Sequence, residues 1–130
     1  MPFAAPILRL ALIALFPLSA FSADGNAAKG RRLFTNQCAA CHTTTSENRA
    51  TGPALLGVVG RKAATLEGFA FSEPMKKSGL TWDVATLDKY LAAPTQLVPG
   101  TSMTLSVPAP AARVDLIAFL LTLTPPTPAK

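Results

Sequence analysis

Apolar residues recur at helical spacing in three stretches of the chain, and the alternation typical of β-strands is absent. The first stretch runs from about Ala27 to Cys38, with Asn26 as the expected N-cap. The second runs from about Asp83 to Ala93 and ends before Pro94, which disfavours a helical residue in front of it. The third begins near Pro110 and runs to about Leu123. The pattern predicts a small all-α fold with three main helices.

A shorter helix is expected in residues 71–79, on the long connection between the first and second main helices. Ser72 is placed to cap its start, and Gly79 is placed to stop it. Met75 lies inside this short helix.

The two ends of the chain differ from its middle. Arg9 precedes the apolar run 10–16, which is too short to span a bilayer, and small residues follow it. This pattern is typical of a secretory signal peptide, which we assign to residues 1–23. A retained membrane anchor is the alternative, because the positively charged region before the apolar run has only one charged residue, Arg9. Residues 24–123 form the expected domain, and residues 124–130 are expected to be a flexible, proline-rich tail.

The two cysteines of the chain lie three residues apart and are followed at once by a histidine, in Cys38–His42. Residues at i and i+3 share one face of a helical turn, so both sulfurs can reach the vinyl groups of a haem while the histidine reaches the iron. A thioredoxin-type disulfide would need a βαβ context, and a zinc site needs about four ligands. The spacing therefore predicts covalent haem c attachment at Cys38 and Cys41, with His42 as an axial ligand.

The second iron ligand must be another residue type, because His42 is the only histidine. Apart from Met1, the chain contains Met75 and Met103. Met103 follows the turn 98–102, in which a proline fixes φ and a glycine permits a positive φ, whereas Met75 is better explained as a core residue. The sequence favours Met103, and histidine–methionine ligation suits an iron that moves electrons.

The charge of the chain is basic, with a net charge of +5 and a pI near 9.7. Removal of the leader, whose one charged residue is Arg9, lowers the net charge to +4. Nucleic acid is a poor match, because export argues against it and no basic run is interleaved with aromatic residues. The positive charge would instead steer docking onto acidic redox partners, or it is an ordinary solvated surface.

Eight further segments carry the motifs of one protein family in the right order: Lys29–Phe34, Thr51–Leu55, Gly57–Lys62, Gly68–Phe71, Gly79–Trp82, Thr86–Leu91, Pro99–Met103 and Asp115–Leu120. Together with Cys38–His42 they make the chain resemble the small class I cytochromes c of the mitochondrial and bacterial long-loop type. The resemblance implies three main helices plus short helices and loops around one covalently bound haem. It also implies haem attachment outside the cytoplasm, in a bacterial periplasm.

The resemblance assigns roles to residues near the two axial ligands. It implies that the carbonyl of Pro53 accepts a hydrogen bond from the ring of His42 and fixes its tautomer, although a simple turn proline is the competing interpretation. It implies that Tyr90 donates a hydrogen bond to the sulfur of Met103, although a core tyrosine is the competing interpretation.

The resemblance also implies contacts farther from the iron. Trp82 and Arg61 are expected to hold the haem propionates, with help from Thr101, because buried carboxylates need paired donors. The first and last helices are expected to cross closely at Gly30, with Phe34 packed into the crossing.

Several positions depart from the family pattern. Phe71 replaces a tyrosine that donates to a propionate, Met75 occupies a position that is usually polar, and Leu105 replaces an aromatic residue near the exposed haem edge. Lysines that usually ring that edge are missing at three places: 94–97, Ser102 and 107–110. We therefore expect a docking face that is less basic and more apolar than usual.

The implied function is that of a soluble, exported, monomeric monohaem carrier, not an enzyme, that passes one electron between larger redox proteins. No stable membrane insertion is expected after the leader is cleaved. One alternative is a ligand-binding or weakly peroxidatic haem protein with a labile sixth ligand. Another is a dedicated electron-transfer subunit of a periplasmic dehydrogenase.

Overall fold

A computed structural model describes Met1 and residues 24–125 of the chain, which form five α-helices joined by loops. In chain order these are α1 (Ala27–Gln37), α2 (Glu73–Lys77), α3 (Val84–Ala92), α4 (Pro94–Leu97) and α5 (Pro110–Leu121). Among the described residues, β-pairing is limited to two isolated bridges. The all-α prediction is therefore confirmed.

The starts of α1 and α3 are fixed by side-chain caps, of which the one at Asn26 was predicted from the sequence. The side chain of Asn26 accepts a hydrogen bond from the backbone of Lys29 at 2.9 Å. The carboxylate of Asp83 accepts one from the backbone of Thr86 at 2.7 Å. Each cap satisfies an N–H group that has no partner inside the helix. At its other end, α1 stops one residue short of the predicted Cys38.

The last helix ends two residues earlier than predicted, at Leu121. The backbone N–H of Thr122 donates to Phe119 at 2.9 Å, and that of Leu123 donates to Leu120 at 3.0 Å, so the final turn has tightened to i→i+3 bonds. The carbonyl of Leu123 then accepts the backbone N–H of Gly57 at 2.6 Å. This long-range bond draws the chain away from the helix axis.

The two short helices lie on the loops between the main ones. The hydroxyl of Ser72 caps α2, and Gly79 follows it at a φ of 65°, as predicted. The helix α4 was not predicted separately. It begins with Pro94 directly after Ala93, whose non-helical backbone ends α3, and proline is well suited to a first helical position.

The first and last helices cross closely at Gly30, which confirms the predicted packing. A Cβ atom at Gly30 would overlap the backbone carbonyl of Asp115. The rings of Phe34 and Phe119 pack at 5.5 Å between centroids. The carboxylate of Asp115 also accepts the backbone N–H of Asn26 at 2.7 Å, so the start of α1 is tied to α5. The crossing positions the C-terminal end of α1, where the haem motif begins.

The ends of the chain are only partly described. Except for Met1, the expected leader lies outside the described residues, as do residues 126–130 of the expected tail. The described part of that tail includes Pro125, whose ring lies against Gly57. In the described part of the chain, no helix is both long enough and apolar enough to cross a membrane.

A candidate haem site

A cavity of about 290 Å³ opens in the hydrophobic core between α1, α3, α5 and the loops. Most of its wall is apolar. Of the site residues predicted from the sequence, only Thr101 is missing from that wall, which includes Cys38, Cys41, His42, Pro53, Arg61, Trp82, Tyr90 and Met103. The fold therefore brings together residues that lie up to 65 positions apart in the chain, from Cys38 to Met103.

The cysteine pair lies on the turn that follows α1. The backbone N–H groups of Cys41 and His42 both donate to the carbonyl of Cys38, at 3.0 and 2.9 Å, which folds the motif back toward the cavity. Both cysteines are free thiols, and Cys38 is buried while Cys41 is exposed. Burial raises the pKa of Cys38 to about 11, and Cys41 adds to the shift. The motif thus presents an uncharged buried thiol and an accessible second thiol.

The imidazole of His42 is oriented by a backbone carbonyl. Its Nδ1 lies 2.7 Å from the oxygen of Pro53, as the resemblance implies. A carbonyl can only accept, so Nδ1 carries the proton and Nε2 keeps its lone pair for a metal. Burial lowers the pKa of His42, and the bond to Pro53 raises it by a smaller amount. Both the tautomer and the neutral state therefore suit ligation of an iron.

Two residues that support His42 were not singled out in the sequence. A Cβ atom at Gly52 would lie 2.5 Å from the carbonyl oxygen of Cys41 and 2.9 Å from the imidazole Cε1, so only glycine fits against the ring. The side chain of Asn48 accepts the backbone N–H of Ala54 at 2.9 Å, which holds the loop that presents Pro53. The Gly52–Pro53 pair was visible in the sequence, but the space it needs depends on the folded loop.

Met103 lies on the wall of the same cavity and is only partly buried. The Tyr90 hydroxyl lies 2.7 Å from the hydroxyl oxygen of Thr101, and either group can be the donor, so the bond from Tyr90 to the Met103 sulfur stays a prediction. Burial raises the pKa of Tyr90, and the bond to Thr101 partly lowers it. Thr101 thus has a hydroxyl partner in Tyr90, and its help with a propionate stays a prediction.

No group of three or more His, Cys, Asp or Glu side chains among the described residues could hold a bare metal ion. The zinc interpretation is therefore not supported. Two thiols on one turn, a neutral imidazole with Nε2 available and a thioether on the same apolar wall instead fit a covalently attached haem.

A family model described as Cytochrome c matches residues 27–124. The chain belongs to the cytochrome c family. It is a monohaem c-type cytochrome, an electron carrier with one covalently bound haem c.

Similar proteins come from several bacteria. Cytochrome c2 iso-2 of Magnetospirillum fulvum is 49% identical over 87 residues, which cover 66% of this chain and 91% of that protein. Cytochrome c2 of Rhodomicrobium vannielii is 47% identical over 106 residues, which cover 80% and 83%. The solved structure of cytochrome cH from Methylobacterium extorquens superimposes with a TM-score of 0.71 and 47% identity, over 75% of this cytochrome and 99% of that chain.

Arg61 is the only residue with a fixed charge among the described residues that line the cavity of this cytochrome. Its guanidinium donates to the carbonyls of Ala54 at 2.9 Å and Leu56 at 3.2 Å. Burial lowers its pKa. Trp82 is buried nearby, with its ring 4.9 Å from that of Tyr90. Arg61 thus holds the loop after Pro53 in addition to any role toward a propionate.

Met75 is a buried residue of α2, with 7% of its surface exposed. Its side chain lines the cavity together with Phe71 and packs into the core. The hydroxyl of Ser78 lies 4.0 Å from its sulfur. This packing agrees with the interpretation of Met75 as a core residue.

Proposed function

We propose that this cytochrome passes single electrons between larger redox proteins, with Cys38 and Cys41 as the thioether attachments and His42 and Met103 as the axial ligands. The observation that carries the proposal is that these four side chains line one apolar cavity. When bound, a haem iron with both axial positions filled takes up and releases one electron without needing a substrate site.

The residues around the ligands hold them in place. The carbonyl of Pro53 keeps the proton of His42 on Nδ1, so Nε2 is always presented in its ligating form. Met103 would occupy the second axial position and leave no place for a substrate, which is why we propose a carrier and not an enzyme. Trp82 and Arg61 are proposed to hold the propionates, since a guanidinium has further N–H groups to donate beyond its two carbonyl bonds.

The proposed docking face is the exposed margin of the cavity. It consists of uncharged exposed residues that also line the cavity: Gln37, Thr51, Ser102, Thr104 and Leu105. Leu105 is 40% exposed, and no described residue on the cavity wall is a lysine, aspartate or glutamate. We propose that the partners dock mainly through apolar contact, so the association should depend only weakly on salt.

The proposed location is the bacterial periplasm, with the protein as a soluble monomer. Two observations support this. Residues 1–23 have the pattern of a secretory signal peptide. The similar proteins include cytochromes c2 from bacteria.

A redox titration of the holoprotein tests the carrier proposal. We expect one reversible wave that fits a single electron, and no oxidation of an added dye by hydrogen peroxide above the rate of free haem. Rapid turnover of peroxide would instead favour the ligand-binding or peroxidatic alternative. Co-purification at fixed stoichiometry with a dehydrogenase would favour the dedicated subunit.

The docking face is tested separately with two small oxidants of opposite charge, ferricyanide and tris(phenanthroline)cobalt(III). If the margin is uncharged, both oxidation rates should change little with ionic strength, despite the net positive charge of the protein. Leu105→Lys should create a salt dependence, and Leu121→Lys should not, because Leu121 is exposed but does not line the cavity. A steep fall of the wild-type ferricyanide rate with salt would contradict the proposal.

A further inference from the structure

Arg113 of α5 is a buried charged residue that the sequence analysis did not identify. It is 9% exposed. Its Nε donates to a carboxylate oxygen of Asp88 at 2.7 Å, and its Nη1 donates to the carbonyls of Val107 at 3.0 Å and Pro108 at 2.8 Å. A buried guanidinium is tolerated only when its donors are satisfied, and here the acceptors come from α3 and from the loop before α5. Arg113 therefore joins three parts of the fold.

The loop that it contacts carries Met103. We call residues 98–109 the methionine segment. Its backbone is bonded near one end, where Thr101 donates to Val98 at 3.0 Å, and near the other, where Val107 donates to Leu91 at 2.7 Å. Between these points, residues 102–106 make no backbone hydrogen bond to any other described residue. The position of Met103 thus depends on how the two ends are held.

Each end is also held by a buried side chain from a helix. At the first end, the hydroxyls of Tyr90 and Thr101 are bonded at 2.7 Å. At the second, Arg113 bonds two successive carbonyls, those of Val107 and Pro108, and Val107 itself is 3% exposed. The guanidinium presents its donors in a fixed planar arrangement, so it sets the direction of the backbone as well as its distance.

We propose that Arg113 is a positioning residue for Met103, through the C-terminal end of the methionine segment. The inference rests on the proposed ligation by Met103. Without the two carbonyl bonds, the second end of the segment would be held only by the backbone bond from Val107 to Leu91 and by the burial of Val107. The thioether would then leave the iron more readily, and an external ligand would compete with it more effectively.

The test is a titration of the oxidised holoprotein with imidazole, which competes with the thioether and abolishes the weak far-red sulfur-to-iron band. We compare wild type with Arg113→Met, which keeps the apolar stem and removes every donor. The control is Asp115→Ala, which removes a long-range hydrogen bond from the same helix but at the α1 crossing. Unfolding of each holoprotein in urea measures the loss of global stability.

We expect the imidazole affinity of Arg113→Met to rise by about tenfold, as for the loss of one charged hydrogen bond. Asp115→Ala should lower the stability but leave the imidazole affinity near that of wild type. If Arg113→Met does not fold, Arg113→Lys serves instead, because an ammonium can reach Asp88 but cannot reproduce the fork. The imidazole affinity of Arg113→Lys should lie between those of wild type and Arg113→Met.

The two proposals fail in different ways. A wild-type protein without the sulfur-to-iron band would overturn the ligation by Met103. A wild-type protein with the band, combined with an imidazole affinity in both Arg113 variants no higher than in Asp115→Ala, would show that Arg113 is merely structural.

Discussion

The two proposed iron ligands are held in different ways. The histidine segment, residues 38–53, contains its own supports: His42 is bonded through its backbone to Cys38 and through its ring to Pro53. In the methionine segment, residues 102–106 make no backbone hydrogen bond to another described residue. Its two ends are held by side chains from other elements, Tyr90 of α3 and Arg113 of α5. The histidine side is thus determined locally, whereas the methionine side depends on tertiary contacts. When the fold is destabilised, we expect the methionine segment to lose its native position before the histidine segment does.

Removal of the ligands themselves should give the largest difference. In Met103→Ala we expect a folded holoprotein with one open iron position, so carbon monoxide should shift its reduced spectrum at once. In His42→Ala we expect little folded holoprotein, because the segment that carries the haem attachment loses its link to Pro53. Optical spectra and the yield of haem-containing protein measure both effects. If the reduced spectrum of Met103→Ala does not change when carbon monoxide is added, the expected open position is absent and Met103 is not the ligand.

Gly52→Ala should disturb the histidine side next most strongly. The added methyl group would press on the imidazole of His42 and on the Cys41 carbonyl, and overpacking of this kind costs about 1–3 kcal/mol. Gly60→Ala is the control, because its φ of 89° strains an added side chain but nothing lies within 4 Å of the site. We expect both variants to unfold at lower urea concentrations, and only Gly52→Ala to shift the midpoint potential. If Gly52→Ala has the same midpoint potential as wild type, the close contact of Gly52 with the imidazole does not support the ligand.

Tyr90→Phe and Thr101→Val should weaken the methionine side by a smaller amount. Each removes one member of a buried hydroxyl pair, at a cost of about 1 kcal/mol. The double variant should lose less stability than the two single variants together, since both remove the same bond. Urea unfolding of the four holoproteins measures this coupling, and the sulfur-to-iron band should weaken in parallel. Strict additivity would mean that the two hydroxyls act independently.

The cap of α3 should give the smallest effect. Hydrogen bonds from Thr86 lower the pKa of Asp83 below its ordinary value of 3.8. Because the folded pKa is the lower one, the stabilisation is present above pH 3.8 and is lost as the pH falls through the folded pKa. Asp83→Asn keeps a capping side chain but does not titrate. Its melting temperature should therefore approach or exceed that of wild type in acid, and a constant difference at every pH would contradict this assignment.

The same contrast explains what could be predicted from the sequence. Cys38, Cys41 and His42 are close in the chain, and their spacing alone indicates their chemistry. The cap at Asn26 is likewise local and was predicted, and the start of α3 was predicted to within one residue, although its cap at Asp83 was not.

Features of the methionine side were harder to predict because they depend on distant residues. The bond between Tyr90 and Thr101 was not predicted, since it depends on how the loop closes over α3. Arg113 was missed because nothing in its neighbourhood along the chain indicates that a charged residue is buried. Gly52 and Asn48 were missed for a related reason: the space and the amide partner that they supply exist only in the folded loop.

The central claim is that His42 and Met103 together fill both axial positions of the haem. The most direct test is the optical spectrum of the purified holoprotein, oxidised and reduced, with and without carbon monoxide. We expect a weak far-red sulfur-to-iron band in the oxidised form and sharp reduced bands that do not change when carbon monoxide is added. Absence of that band, together with an immediate shift of the reduced spectrum by carbon monoxide, would show an open position and contradict the claim.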